Sequence, residues 1–389
     1  MIQYTPMSKD ETSIPMKILY DSVFAQAAYQ FCGHLDEYLI HHTRHLALMR
    51  FPSRYGREDV SIQIYHEGRL LEERQMKIAK AIIPYYFQMW RLWSRELSRF
   101  SRLHKGTIAI FTHPLAGVGL SFRREVRHVF WQWDYFPDGA FVSRLFNFTA
   151  RHVAKRCWRY CPLTAAIGEA IGRNADSPVM LGVRVPEGAA AKPSNRLLMV
   201  GQLRKGQGVK HVLDFIASDQ GYSLSLIGAA AGGFEKAISS RIDALNIRAR
   251  VFFPNRFFTD AELQNEAARC CASLALYDVD RKNLTNYADP GKVKSSIEMG
   301  LPVVMTRISD TAKYVERFGA GVVIDSINDL PRAIKDICAN HERYQAGLMS
   351  FARHFYYEDY YDNRLLSEDA KLKTRPSLQE TVLPQSRRI

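Results

Sequence analysis

The stretch from Tyr287 to Thr306, YADPGKVKSSIEMGLPVVMT, holds the residues of this chain best suited to take an anion. Asp289 suits a helix N-cap, and Pro290 suits the first helical position, where its missing N–H costs nothing and its fixed φ is already helical. From Gly291 to Met299 the helix would carry its first-turn amides and the positive end of its dipole outward, and Lys292 adds a full charge. Gly300 reads as the left-handed stop, and Pro302 to Met305 as a short buried strand. The chemistry this offers is the binding of a phosphate or diphosphate. An Asp-Pro pair also opens many helices that bind nothing, so the surroundings decide.

Those surroundings are apolar runs alternating with helical periods. Residues 17–20, 61–65, 107–112, 128–133, 163–167 and 179–183 read as strands with helices between most of them. The small-residue segment VPEGAAAKPSN follows, and the pattern restarts at residues 196–200, 223–227, 250–253, 272–277, 302–305 and 321–324. This divides the chain into a tail (1–15), a first α/β domain (16–185), a linker (186–195), a second α/β domain (196–345), a terminal helix crossing back to the first domain (346–370) and a polar tail (371–389). A length of 389 residues at 47% hydrophobic content is enough for two cores. In open parallel sheets ligands bind beyond the carboxyl ends of the strands, and in this arrangement those ends face a cleft.

His113 in THPLAG and Asp134 in QWDYFP each follow a predicted strand, on the cleft side. Asp134 suits a general base or an orienter of a hydroxyl, and equally a turn before a proline-containing loop; His-Pro is also an ordinary turn entry. Trp131, Trp133, Tyr135 and Phe136 offer either a sugar-stacking wall or core aromatics.

Charge is concentrated in the first half. From Arg74 to Arg159 there are sixteen Lys or Arg against four acids, and this stretch carries nearly all of the chain's net +13. Within it Tyr86, Trp90, Trp93, Leu97 and Phe100 fall on one helical face, with Arg91, Arg95, Arg99 and Arg102 opposite. Such a helix lies either in an anionic membrane surface or on its own domain with a solvated arginine face. No nucleic-acid-binding motif accompanies the charge, and no nucleic acid is expected. No apolar run reaches membrane-spanning length, and the first fifteen residues, with Lys9, Asp10 and Glu11, lack the apolar core of a signal peptide. The six cysteines show neither metal-ligand spacing nor the density of a disulfide scaffold, and reduced cytoplasmic thiols are expected.

In the second half MVGQLRKGQGVKHVLDF, LSLIGAAAGG, RVFFPNRFFTDAEL, LALYD, DPGKVKSSIEMGLPVVMT and GAGVVI run in the order, and near the spacing, of the nucleotide-sugar domain of GT-B glycosyltransferases. The chain resembles glycosyltransferase family 4 most, over roughly residues 197–330, and THPLAG and FWQWDYFP extend the resemblance loosely into the first half. It implies an α/β GT-B fold, two Rossmann-like βαβ domains facing across a cleft. It further implies a metal-independent, hexosyltransferase-type enzyme that moves a sugar from a nucleotide diphosphate sugar to an acceptor hydroxyl with retention of configuration. A nucleotide-sugar epimerase, a phosphorylase-like enzyme and a noncatalytic nucleotide-sugar-binding protein share this fold. The nucleotide sugar is a co-substrate, and no cofactor or metal is expected. The basic, aromatic first half adds the expectation of a glycan acceptor, lipid-linked as in polysaccharide or envelope assembly. The chain would then be cytoplasmic, peripheral on the inner membrane face, and held through residues 74–159.

A departing diphosphate needs its charge neutralised by metal, cations or helix amides. The resemblance gives that work to Arg204 and Lys205, in a loop where Gly206 and Gly208 allow close approach, and to the helix beginning near Pro290. Donor binding thus falls to Gly201, Arg204, Lys205, Gly228, Asp289, Pro290, Gly291, Lys292, Ser295 and Glu298, and catalysis to Asp134 and His113. The family usually places glutamates where this chain has Tyr287 and Ser295, which leaves Glu298, one turn on, to face the ribose. Gln202 stands near a usual arginine, with Arg204 as its replacement. The family's His-Asp pair reads here Trp133–Asp134.

Overall fold

The computed structural model describes residues 19–26, 33–50, 59–77, 82–118, 125–173, 178–186, 194–278 and 284–366. Both expected tails, most of the linker and Cys32 lie outside the described residues. In the first half the elements run β1 (Tyr20–Gln26), α1 (Leu35–His42), β2 (Thr43–Arg50), β3 (Asp59–His66), β4 (Arg69–Lys77), α2 (Ile82–Leu103), β5 (Ile108–Phe111), α3 (Pro114–Gly117), β6 (Arg127–Gln132), α4 (Phe141–Arg156), β7 (Arg159–Pro162) and α5 (Ala165–Ile171). Their seven strands form one sheet, ordered β4-β3-β2-β1-β5-β6-β7. It is parallel from β2 to β7, and β3 and β4 add an antiparallel edge. Glu67 and Gly68, at φ 48° and 79°, give the β3–β4 hairpin the left-handed pair its two-residue turn requires.

The second half runs β8 (Arg196–Val200), α6 (Val209–Ser218), β9 (Ser223–Ile227), α7 (Phe234–Ala244), β10 (Val251–Phe252), α8 (Asp260–Ala267), β11 (Ala272–Ala275), α9 (Gly291–Glu298), β12 (Val303–Thr306), α10 (Ser309–Phe318), β13 (Gly321–Ile324), α11 (Leu330–Ala339), α12 (His341–His354) and α13 (Tyr357–Tyr361). All its strand pairs are parallel, in the order β10-β9-β8-β11-β12-β13. The order reverses between β8 and β11. That reversal opens a crevice between the loops leaving the two strands, the place where open α/β sheets take ligands.

Packing decides the two readings of α2. Leu92, Trp93, Leu97 and Phe100 are buried, with Trp93 edge-on to Phe24 at 4.8 Å and Phe100 5.9 Å from the same ring. Trp90 donates its indole N–H to the Val118 carbonyl at 2.8 Å. This face belongs to the domain core, the second of the two readings that the sequence leaves open. The side chain of Tyr86 lies outside the described residues.

Two expected strands are also replaced. Residues 163–167 were to be extended, but the strand is β7, just before, and Thr164 caps α5 by accepting the Ile167 N–H at 3.4 Å. Residues 179–183 make only isolated bridges, Gly182 with Gly33 and Val183 with Tyr356.

Among the described residues, β1, α1, β7 and the segment after α13 join the halves, together with loops. Asp362 accepts hydrogen bonds from the Tyr20 and Tyr38 hydroxyls at 3.2 and 3.0 Å, and the Arg159 guanidinium donates to the Leu365 carbonyl at 2.9 Å. Residues after α12 therefore lie against the first sheet. In the opposite direction Thr164 donates to the Tyr287 carbonyl at 2.9 Å, and the Ala165 N–H to Asp310 at 2.6 Å. Among the described residues, no helix is long and apolar enough to cross a membrane.

Candidate active site

At the crevice of the second sheet, backbone geometry comes first. Gly201 ends β8 at φ 103°, and Gly228 ends β9 at φ 144°. A Cβ on Gly228 would stand 1.9 Å from the Gly201 carbonyl oxygen, so only glycine lets these turns nest. A Cβ on Gly201 would meet the Lys292 Cε at 2.7 Å. The Lys292 stem therefore crosses directly over the end of β8. Farther along the same loop, Gly206 and Gly208 let it close on the one leaving β11: their Cβ atoms would fall 2.5 Å from an Asp278 oxygen and 2.6 Å from the Leu276 Cβ.

Lys292 projects from the first turn of α9 into this crevice. Its Nζ donates to the Gln207 side-chain carbonyl at 2.9 Å and approaches the Gln202 carbonyl oxygen at 3.5 Å, 5.7 Å from the Tyr277 ring centre. Burial, reinforced by the charge of Arg204, lowers the Lys292 ammonium to about 8. Arg204 is exposed and bonded to the Gln202 side chain, and Lys205 is exposed beside it. A half-buried ammonium and an exposed guanidinium beside a helix N-terminus together favour an anion. Of the expected donor residues, Gly201, Gly228, Arg204, Gly291 and Lys292 line this crevice or frame it. Gln207 and Tyr277 were missed; the only sequence signal for Gln207 was its place between two glycines.

Two acids expected here do other work. Helix α9 begins at Gly291 with Pro290 as its cap and no side-chain cap, one residue later than the expected capping by Asp289. The Asp289 carboxylate is buried, accepts the Leu181 N–H at 2.7 Å and the Thr311 hydroxyl at 2.6 Å, and lies 3.4 Å from the Lys294 ammonium. It joins the approach to β8, α9 and α10. The Lys294 ammonium also sits 4.2 Å from the Phe355 ring centre. Glu298, expected to face the ribose, has its Oε1 held by His34 Nε2 at 2.6 Å and by the Arg184 N–H at 3.1 Å. Ser295 is half-buried on α9 between these two ends. The end of α9 matches expectation: Gly300 at φ 75° passes its N–H to the Ile297 carbonyl, and Leu301 reaches back to Ser296.

The opposite wall comes from the loops after β5 and β6. Asp134 is fixed by its neighbours: the buried Gln132 side chain donates to its carbonyl at 2.8 Å, and Asn147 of α4 bonds both the N–H and the carbonyl of Phe136. Asp134 is exposed, and desolvation by the surrounding protein raises its pKa above the ordinary aspartate value. That is the direction a general base needs. Tyr135, next along, packs on Tyr287 with ring centres 4.7 Å apart, which brings the Asp134 loop to the turn before α9. His113 accepts the Leu115 N–H on Nδ1 at 3.3 Å as the cap of α3, and burial holds it neutral, its pKa lowered to about 4. With Nδ1 accepting, the proton resides on Nε2. His113 therefore suits a neutral donor better than a base. The Phe146 ring touches both His113 and Phe136, so these loops share one wall. Of the expected aromatic wall, Trp131 is wholly buried and bonds the Val179 carbonyl, as a core residue does.

No family model and no curated protein matches the chain. Among solved structures it is similar to sucrose-phosphate synthase of Thermosynechococcus elongatus, with TM-score 0.62, 9% identity, and 87% of this chain and 96% of that one covered. It is similar to Anabaena HepE in complex with UDP-glucose, with TM-score 0.59, 12% identity, and 87% and 96% covered. A third is the lipopolysaccharide outer core galactosyltransferase WaaB, with TM-score 0.56, 15% identity, and 88% and 98% covered. Two parallel-dominated sheets, a crevice at the reversal of strand order and likeness over most of the length give one conclusion: the chain has the GT-B fold.

Proposed function

We propose that this protein is a glycosyltransferase that takes a sugar from a nucleotide diphosphate donor and joins it to a hydroxyl of a glycan acceptor. The observation that carries the reading is the half-buried Lys292 ammonium, its pKa lowered by desolvation and by Arg204, at the start of α9 in the crevice of a GT-B fold. HepE, similar in fold, was solved with UDP-glucose. In the reaction the acceptor oxygen bonds to the anomeric carbon and the anomeric carbon–oxygen bond to the diphosphate breaks. The nucleoside diphosphate leaves with the electron pair, onto Lys292, Arg204, Lys205 and the α9 amides, and Asp134 orients the acceptor hydroxyl and takes its proton. These cations supply the charge that a metal would otherwise supply, so transfer is expected to survive a chelator. A place in family 4 is carried by the resemblance of the second half, and so is retention of configuration, which requires the acceptor oxygen to enter on the face that the diphosphate leaves. A lipid-linked acceptor at the inner membrane face, reached by a cytoplasmic, peripheral protein, follows from the basic first half.

Thermal unfolding measured against a panel of UDP-, GDP- and ADP-sugars tests the donor half, and stabilisation by one of them is expected. A flat response across the panel would sink it. Tyr287 and Ser295, where the family has acids, favour a second reading: a noncatalytic protein that binds the nucleotide sugar without turning it over. Product analysis with and without acceptor separates the two, since only a transferase makes acceptor-dependent product.

A further inference from the structure

A helix lying on its own domain normally turns its large apolar side chains inward. Helix α4 is built the other way round. Its buried residues are Ser143, Asn147, Ala150, Val153 and Ala154, small or polar but for one. Outward, among the described residues, stand Phe141 at 80% exposure, Val142 at 68%, Leu145 at 55% and Phe148 at 65%. At 100° per residue, Phe141, Leu145 and Phe148 fall within about 60° of one another, so they form one stripe. Arg144 and Arg151 border it, and Lys155 and Arg156 continue it toward the helix end; α4 contains no acid. Single exposed apolar residues are ordinary, but a stripe edged by one sign of charge marks a docking surface.

We propose that this face of α4 seats the protein on an anionic lipid bilayer. The charge complementarity selects that occupant: the apolar stripe enters the boundary between headgroups and acyl chains while the arginines and Lys155 meet headgroup phosphates. The inward side of the same helix, through Asn147, holds the loop that carries Asp134. Docking through α4 therefore brings the acceptor wall of the cleft to the lipid surface. That consequence rests on the transferase reading, whereas the docking does not.

Flotation of the full chain with vesicles of phosphatidylglycerol and phosphatidylcholine, and with phosphatidylcholine alone, tests the proposal without any nucleotide sugar, so failed docking and failed transfer are read separately. The parent should float with the anionic vesicles and much less with the neutral ones. Combined Phe141→Ser, Leu145→Ser and Phe148→Ser should lower the partition at least ~10-fold with an unchanged unfolding temperature, because these side chains are already in solvent. Combined Arg144→Gln and Arg151→Gln should weaken binding to the anionic vesicles and reduce its salt sensitivity. The proposal fails if the parent does not float, or if the serine variant floats as well as the parent. It fails too if sedimentation shows a parent dimer that the serine variant dissolves while flotation is unchanged, since the stripe then belongs to a second copy of the chain.

Discussion

Donor binding should weaken with rising pH because of Lys292. Burial and Arg204 bring its ammonium down to about 8 in the unliganded protein. A diphosphate placed on it favours the charged form, so the complex holds a proton that the free protein releases above that pH. The sign follows: affinity is full below pH 8 and falls as pH rises through it. If only the ammonium form binds, about nine-tenths of the free protein is competent at pH 7 and about one-tenth at pH 9, so Kd should rise ~10-fold, about 1.4 kcal/mol. The ligand to use is the nucleotide sugar that stabilises the protein, because its diphosphate is esterified at both ends and keeps its charge over this range. Titration calorimetry at the two pH values, in buffers of different ionisation enthalpy, reports both Kd and the protons taken up. Lys292→Arg should flatten the profile, since a guanidinium stays charged. Lys292→Met should weaken binding at both pH values and remove the slope. A parent Kd equal at pH 7 and pH 9, or a slope that survives in Lys292→Met, would refute the assignment.

Three further outcomes are expected. Asp134→Asn should lower kcat by about 10²–10⁴ without changing nucleotide-sugar affinity; in the parent, kcat/KM should fall on acidification at a higher pH than an ordinary aspartate would give, because desolvation raises the Asp134 pKa. Asp289→Ala should cost about 3–5 kcal/mol in denaturant unfolding by removing the carboxylate beside the buried Lys294 ammonium, and Lys294→Met should recover part of that loss in the same background. Gly228→Ala should impair folding of the second sheet, since its Cβ meets backbone, whereas Gly201→Ala should fold less stably and lose donor affinity by displacing the Lys292 stem; soluble yield and ligand titration distinguish them.

What could be read from the sequence follows a physical division. The strands of the second half are short apolar runs between turn residues, and all six fall within a residue or two of where that pattern puts them, even β10, which is only two residues long. In the first half β2 and β4 were missed. Arg44, His45 and Arg50 interrupt the apolar pattern of β2, and β4, an edge strand, exposes nearly every side chain. The place of Lys292 on the first turn of α9 was legible because its neighbours Pro290 and Gly300 fix where the helix starts and stops. The contacts of Asp289 and Glu298 were not, because their partners Leu181, Thr311, His34 and Arg184 are remote in sequence, and spacing along one helix carries no information about them. The outward stripe of α4 was invisible for the converse reason, because an amphipathic pattern does not say which side faces in.

Asp289 has a mechanical consequence. It grips Leu181, on the strand-like passage between the two sheets, in the residue pair just before the helix that carries Lys292. A rotation of one half against the other has its smallest displacement near such a fixed point, so the first turn of α9, with Lys292, would move least as the halves turn.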